Sequence, residues 1–165
     1  MNALEITGLC KTYPDFTLDN LNLTLPSGCV MGLVGENGAG KSTTIKLILN
    51  MLRRDAGQVS VLGMDNLTYD RRIKEEVGVV LDDVGFPGCL TSKQIGNILR
   101  RTYQNWSDET YAQLLKRLGL PTDKAFDAFS RGMKMKLGIA VAMSHAPKLL
   151  LLDEATSGLD PVVRD

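Results

Sequence analysis

The sequence predicts an α/β fold: an open sheet with helices, interrupted by an all-helical insert. Three observations carry this. Two short apolar runs, Cys29–Val34 and Leu149–Leu152, read as strands covered on both faces, as in parallel sheets. A glycine-rich turn leads from the first run into an amphipathic helix. Between Thr91 and Ala146 the periodicity is helical throughout. A chain of 165 residues is long enough for a core and suggests one folding unit.

The elements follow in order. "ALEITGL" and "FTLDNLNLTL" read as strands, the second alternating Leu21, Leu23 and Leu25 with Asn20, Asn22 and Thr24. Pro26-Ser27-Gly28 is a turn, and "CVMGLV" is the first buried strand. Ile45, Ile48, Leu49 and Leu52 mark one face of the helix after the glycines. "GQVSVLG" reads as an edge strand and "EVGVVLD" as a buried one. Ile95, Ile98, Leu99 and Thr102 give a second helix, and Tyr111, Leu114, Leu115 and Leu118 a third. Ser130 caps a fourth, with Met133, Leu137, Ala140, Val141 and Ser144 on its apolar face; Pro147 ends it. No internal repeat, low-complexity segment or linker is evident.

Composition narrows the function. Lys plus Arg and Asp plus Glu are 19 each, so nothing points to nucleic acid. The basic pairs Arg53-Arg54, Arg71-Arg72 and Arg100-Arg101 read as solvated faces. Cys10, Cys29 and Cys89 form no CxxC and suit free thiols in a reducing compartment. The N-terminus lacks the pattern of a signal peptide. No apolar run approaches the ~18 residues of a membrane helix.

"GENGAGKST", Gly35–Thr43, carries the chemistry. It matches G-x-x-x-x-G-K-[ST] between a strand and a helix. Polyphosphate is crowded negative charge. Gly35, Gly38 and Gly40, with Glu36, Asn37 and Ala39 between them, let backbone N–H groups wrap it closely. The helix starting near Lys41 turns its positive end to the phosphates. Lys41 reaches the β/γ oxygens, and Ser42, followed by Thr43, offers a hydroxyl to Mg²⁺.

"LLLLDE" supplies a second half. The carboxyl end of a parallel strand opens at the ligand crevice of an α/β sheet. There Asp153 can hold Mg²⁺ through water, and Glu154 can polarise the water that attacks the γ-phosphate. The alternative is a strand that merely ends in a polar turn.

These motifs, with "FSRGMKMKLGIAVAMSHAPKLLLLDEATSGLDP", resemble the ATP-binding cassette domain of ABC transporters from Leu4 to Asp165. The resemblance implies a P-loop NTPase: an ABC ATPase with a RecA-like core, N-terminal antiparallel strands and a helical subdomain, its C-terminal strands missing. Residues 1–90 and 147–165 would form the nucleotide-binding core, and 91–146 the helical subdomain.

"SRGMK" stands at the family's signature, usually SGGQ; Arg131 and Met133 replace its second and fourth residues, a wording similar to ABC-2-type antibiotic and lipid exporters. The resemblance implies that Ser130, Gly132 and Met133 hold the ATP of a second cassette, in a homo- or heterodimer. The alternative is an ordinary serine-capped helix. Tyr13 resembles the aromatic that stacks on adenine, the alternative being a core tyrosine. "SGLD", ending at Asp160, resembles the dimer-seam loop.

The family's usual Gln falls at Asp82, which would meet Mg²⁺ through water; Asp83 is the neighbouring alternative. The loop "GFPGCL" is where the family meets its transmembrane partner, or it packs on its own domain. His145 and Trp106 read as structural. The chain is then expected to be an ATPase subunit of an exporter, cytoplasmic and peripheral on the inner membrane face through a separate permease. Ending after Asp160, it is expected to lack later strands, to leave the leucine strand at an exposed edge, and to turn over poorly. The alternatives are a non-transport ABC ATPase and a regulatory module without turnover.

Overall fold

Strands β1 (Asn2–Tyr13) and β2 (Phe16–Pro26) form an antiparallel hairpin, closed by Pro14 and Asp15. Along β2 half-buried Leu21 and Leu23 and buried Leu25 alternate with exposed Asn20, Asn22 and Thr24, as the period-two pattern requires. The computed structural model describes residues 1–153. It divides into two compact units, Met1–Lys74 and Glu75–Asp165.

In the first unit β1 also pairs with β3 (Ala56–Val61), which pairs with the short β4 (Met64–Asp65), in the order β2-β1-β3-β4. The edge position expected for "GQVSVLG" is therefore corrected: β3 lies inside the sheet, with Val59 and Val61 buried. Helix α1 (Lys41–Ile48) buries Thr44, Ile45, Leu47 and Ile48. It is shorter than the apolar pattern, because Asn50 turns to φ 53° and Leu52 falls beyond the helix. A larger correction concerns Cys29–Val34. The run forms no strand, and Val30 and Val34 are almost fully exposed. It pairs with neither edge strand of its own unit's sheet, β2 or β4.

Helix α2 (Asp70–Glu76) carries the chain into the second unit, where β5 (Val77–Val80) pairs in parallel with β6 (Leu149–Leu152). Leu149 and Leu151 are buried, whereas Leu150 and Leu152 are 39% and 47% exposed. The expectation of a leucine strand covered on both faces fails for that reason. Among the described residues β6 has a strand neighbour on one side only.

The helices are α3 (Ser92–Leu99), α4 (Asp108–Arg117) and α5 (Arg131–Met143). Thr91 and Gln94 make a reciprocal capping box on α3, and Ser107 caps α4. Ile95, Tyr111, Leu115, Phe126, Phe129, Leu137, Ala140 and Val141 share one core. The apolar face expected for α3 was too wide: Ile98 is half exposed, and Thr102 lies past the helix end. Gly96 lets α3 approach α4, since a Cβ there would stand 2.5 Å from the Tyr111 ring.

Candidate nucleotide-binding site

In the first unit, residues 35–39 form an exposed loop that runs into α1. Its shape comes from glycines at left-handed positions. Gly38 has φ 87° and Gly40 φ 93°. Gly40 is buried beneath β2, where a Cβ would stand 2.7 Å from the Phe16 ring. Ala39 N–H donates to the Glu36 carbonyl, closing the loop at 3.1 Å.

Lys41 folds back over this loop. Its Nζ donates to the carbonyls of Gly35 at 2.7 Å and Glu36 at 2.8 Å. Two of the three ammonium donors are thus spent on fixing the charge above the loop. Gly40, the N-cap of α1, has no side chain to cover the helix end. A glycine-turned loop, a pinned cation and a helix N-terminus without a side-chain cap together fit a polyphosphate. Ser42 and Thr43, half-buried, open the helix beside Lys41.

The far end of α1 is held by residues that sequence reasoning missed. Asn66 is 1% exposed, and its Nδ2 donates to the Leu47 and Ile48 carbonyls at 2.8 and 2.9 Å. Those carbonyls belong to the last turn, which has no partners inside the helix. Arg54 donates to Asn66 Oδ1 and pairs with Asp65 at 3.4 Å. Arg54 is therefore structural, unlike exposed Arg71, Arg72, Arg100 and Arg101. Asn66 lies between Asp65 and Leu67 in a mixed polar turn, and no pattern in that stretch signals its burial.

Tyr13, at the hairpin end, is half-buried, with Lys11 Nζ 5.5 Å from its ring centre. It is not a core tyrosine. Lys11 also pairs with Asp55 at 2.9 Å. The Lys11 hydrogen bond, aided by the Thr12 N–H, holds the Asp55 carboxyl below its ordinary value of 3.8.

In the second unit the parallel strands bring Asp82 and Asp153 to the same end. Val80 pairs with Leu152, and Asp153 N–H donates to the Val80 carbonyl at 2.8 Å. Asp153 is buried and Asp82 exposed. Among the described residues no group of three or more His, Cys, Asp or Glu forms a cage for a metal. One or two carboxylates at a strand end suit Mg²⁺, which keeps waters and takes phosphate oxygens as its remaining ligands.

A cavity of about 370 Å³ adjoins this end, lined by Asp82, Asp83, Val84, Phe129, Arg131 and Lys134 among others. Ser130 caps α5, its Oγ accepting from the Met133 N–H at 3.3 Å. The serine-capped helix is thus present, and Gly132 lies within its first turn. Arg131 reaches out of this turn to Asp82 Oδ1 at 2.8 Å. The expected catalytic Glu154 and seam residue Asp160 lie outside the described residues.

His145 is fully buried and structural. Its ring stacks on Tyr103 at 4.1 Å, and its Nε2 lies 3.4 Å from the Val77 carbonyl. Trp106 packs on Tyr111 at 5.0 Å between the helices. Burial raises the Tyr103 phenol above its ordinary value. The three cysteines are free.

The family model described as ABC transporter matches residues 18–157. The chain belongs to the ABC transporter family. It is 35% identical over 162 residues to a bacitracin transport ATP-binding protein of Bacillus licheniformis, covering 96% of this chain and 53% of that protein. It is 35% identical over 170 residues to a daunorubicin/doxorubicin resistance ATP-binding protein of Streptomyces peucetius, covering 99% and 51%. A solved ATP-binding subunit of an ABC transporter superposes with a TM-score of 0.87 at 27% identity, covering 98% of this chain and 70% of that one. The fold is thus that of the family's ATPase subunits, and the family binds nucleotide. The chain spans about half the length of the first curated relatives it matches. Among the described residues no helix is long and apolar enough to cross a membrane.

Proposed function

We propose that this chain is the ATP-binding and hydrolysing cassette of an exporter-type ABC transporter, working with a second cassette and a separate membrane permease from the cytoplasmic face. The observation that carries the reading is Lys41, pinned by two carbonyls above a glycine loop at the start of α1. Relatives named for bacitracin transport and for daunorubicin/doxorubicin resistance support the exporter class. Residues 1–90 and 147–165 act as the nucleotide-binding core and 91–146 as the helical subdomain.

Each residue has a role in this reading. The backbone from Gly35 through Glu36, Asn37, Gly38, Ala39 and Gly40 to Thr43 encloses the phosphates. Lys41 neutralises the β/γ oxygens, and Tyr13 stacks on adenine. Ser42, Asp82 and Asp153 are the residues that would hold Mg²⁺, directly or through water. The ion would supply positive charge against the negative charge that builds up on the phosphates during transfer. Glu154 takes the proton of the attacking water. Ser130, Gly132, Met133 and Asp160 face the nucleotide of the opposite cassette.

The test is equilibrium binding of a fluorescent ATP analogue with Mg²⁺ to wild type and Lys41→Ala. Loss of a desolvated charge-assisted bond predicts at least roughly tenfold weaker binding, about 1.5–3 kcal/mol, with an unchanged circular dichroism spectrum. Wild-type affinity in the variant would sink the assignment.

A further inference from the structure

We propose that Asp82 and Arg131 are a pair of positioning residues that tie the loop after β5 to the first turn of α5, so that the loop carboxylate and Ser130 keep a common register. The proposal deepens the nucleotide-binding reading and rests on it for the roles of those two segments. The residues are 49 apart in sequence, yet Arg131 Nη2 lies 2.8 Å from Asp82 Oδ1.

Both residues depart from the family's wording, Asp82 from the usual Gln and Arg131 from the usual Gly, and the two departures carry opposite charge. A cation in a first helical turn is disfavoured by the helix dipole. The first turn of α5 contains no acidic residue, and Asp82 supplies the missing carboxylate from another segment. Lys134, the next cation, lies over the Phe126 ring at 4.8 Å.

The pair also completes a longer seam between the same loop and the segment 125–131 that leads into α5. Asp127 N–H donates to the Gly88 carbonyl at 3.0 Å, and Phe126 N–H to the Leu90 carbonyl at 2.9 Å. Thr91 bridges to Ala125, and the Phe86 and Phe126 rings meet edge to face at 5.6 Å. Gly88 lies so close beneath Asp127 that a Cβ there would stand 2.0 Å from its carboxylate. These contacts fix residues 86–91. Asp82–Arg131 fixes the other end of the loop, beside Ser130. Glutamine could offer Arg131 an oxygen but no charge, whereas a carboxylate can bond the arginine through one oxygen and present its second to a metal-bound water.

Both partners are more than half exposed, so the pair sets register and is sensitive to salt. The test is amide hydrogen exchange on the nucleotide-free full-length protein, comparing wild type, Arg131→Gln, Asp82→Asn, the double variant and Arg131→Lys. Each single loss should speed exchange of the 82–85 and 131–134 amides about threefold to fivefold, the scale of one surface pair. The double variant should exceed neither single variant. Arg131→Lys should remain within about twofold of wild type, and about 1 M salt should bring wild type to the variants' rates. Unchanged exchange in Arg131→Gln, or additive effects in the double variant, would overturn the pairing. ATP-analogue binding by Lys41→Ala is measured alongside. Wild-type affinity there overturns the nucleotide reading while leaving the exchange result to judge the pair.

Discussion

Replacing Asn66 by Leu should destabilise the first unit and loosen the helix that carries Lys41. The side chain is buried and its amide serves two carbonyls at 2.8 and 2.9 Å. Leucine keeps the volume and removes both donors. Leu47 and Ile48 are each 2% exposed, so water cannot readily replace the lost partners. The Leu47 carbonyl keeps the Asn50 N–H at 3.2 Å, so the Ile48 carbonyl is the one orphaned. An orphaned buried acceptor costs about 1–3 kcal/mol, and Arg54 loses a bond as well, so the sum is about 3 kcal/mol. For a chain of this size that is ~6–12 °C in melting temperature. Thermal unfolding followed by circular dichroism measures it, and amide exchange at Ile45–Leu49 should rise with it. A loss below about 0.5 kcal/mol, the scatter of neutral surface substitutions, would refute the claim that Asn66 terminates α1.

Three further outcomes are expected. Gly40→Ala forces a left-handed backbone on an L residue and sets its Cβ against Phe16, so it should lose about 1–3 kcal/mol and weaken ATP-analogue binding; a variant as stable as wild type would contradict the φ of 93°. Glu154→Gln in the full-length protein should keep ATP affinity and lower turnover by about 10²–10⁴-fold, as measured by phosphate release; undiminished turnover would remove Glu154 as the base. The Asp55 carboxyl is held below 3.8 in the folded state, so its pairing with Lys11 stabilises the protein above that pH. That contribution fades as pH falls from 3.8 through the lower folded value. Asp55→Asn should flatten this part of the acid unfolding curve, and an identical curve would show the pairing to be inert.

Much of the site was legible in the sequence because its chemistry is local. A phosphate loop needs glycines, a cation and a helix start within nine positions, and "GENGAGKST" meets each need without help from distant residues. The same holds for Ser130, whose cap bond reaches only three residues ahead. Strand β2 was legible through the alternation of Leu21, Leu23 and Leu25, since a strand's period of two appears in its own residues, while its pairing with β1 was not.

Tertiary structure decided what depends on neighbours. Apolar runs report that a segment can be covered, and the sheet decides whether it is. Hence Val30 and Val34 are exposed, Leu150 and Leu152 remain partly open, and β3 lies inside a sheet rather than at its edge. Arg54 and Asn66 looked like ordinary polar positions until folding set them beneath the last turn of α1. Asp82 read as a metal oxygen, and only the chain's return through α5 brought Arg131 within 2.8 Å of it. Pattern within one segment carries backbone conformation and local chemistry. Charge pairing and burial across dozens of residues arise from long-range packing, which no window of sequence contains.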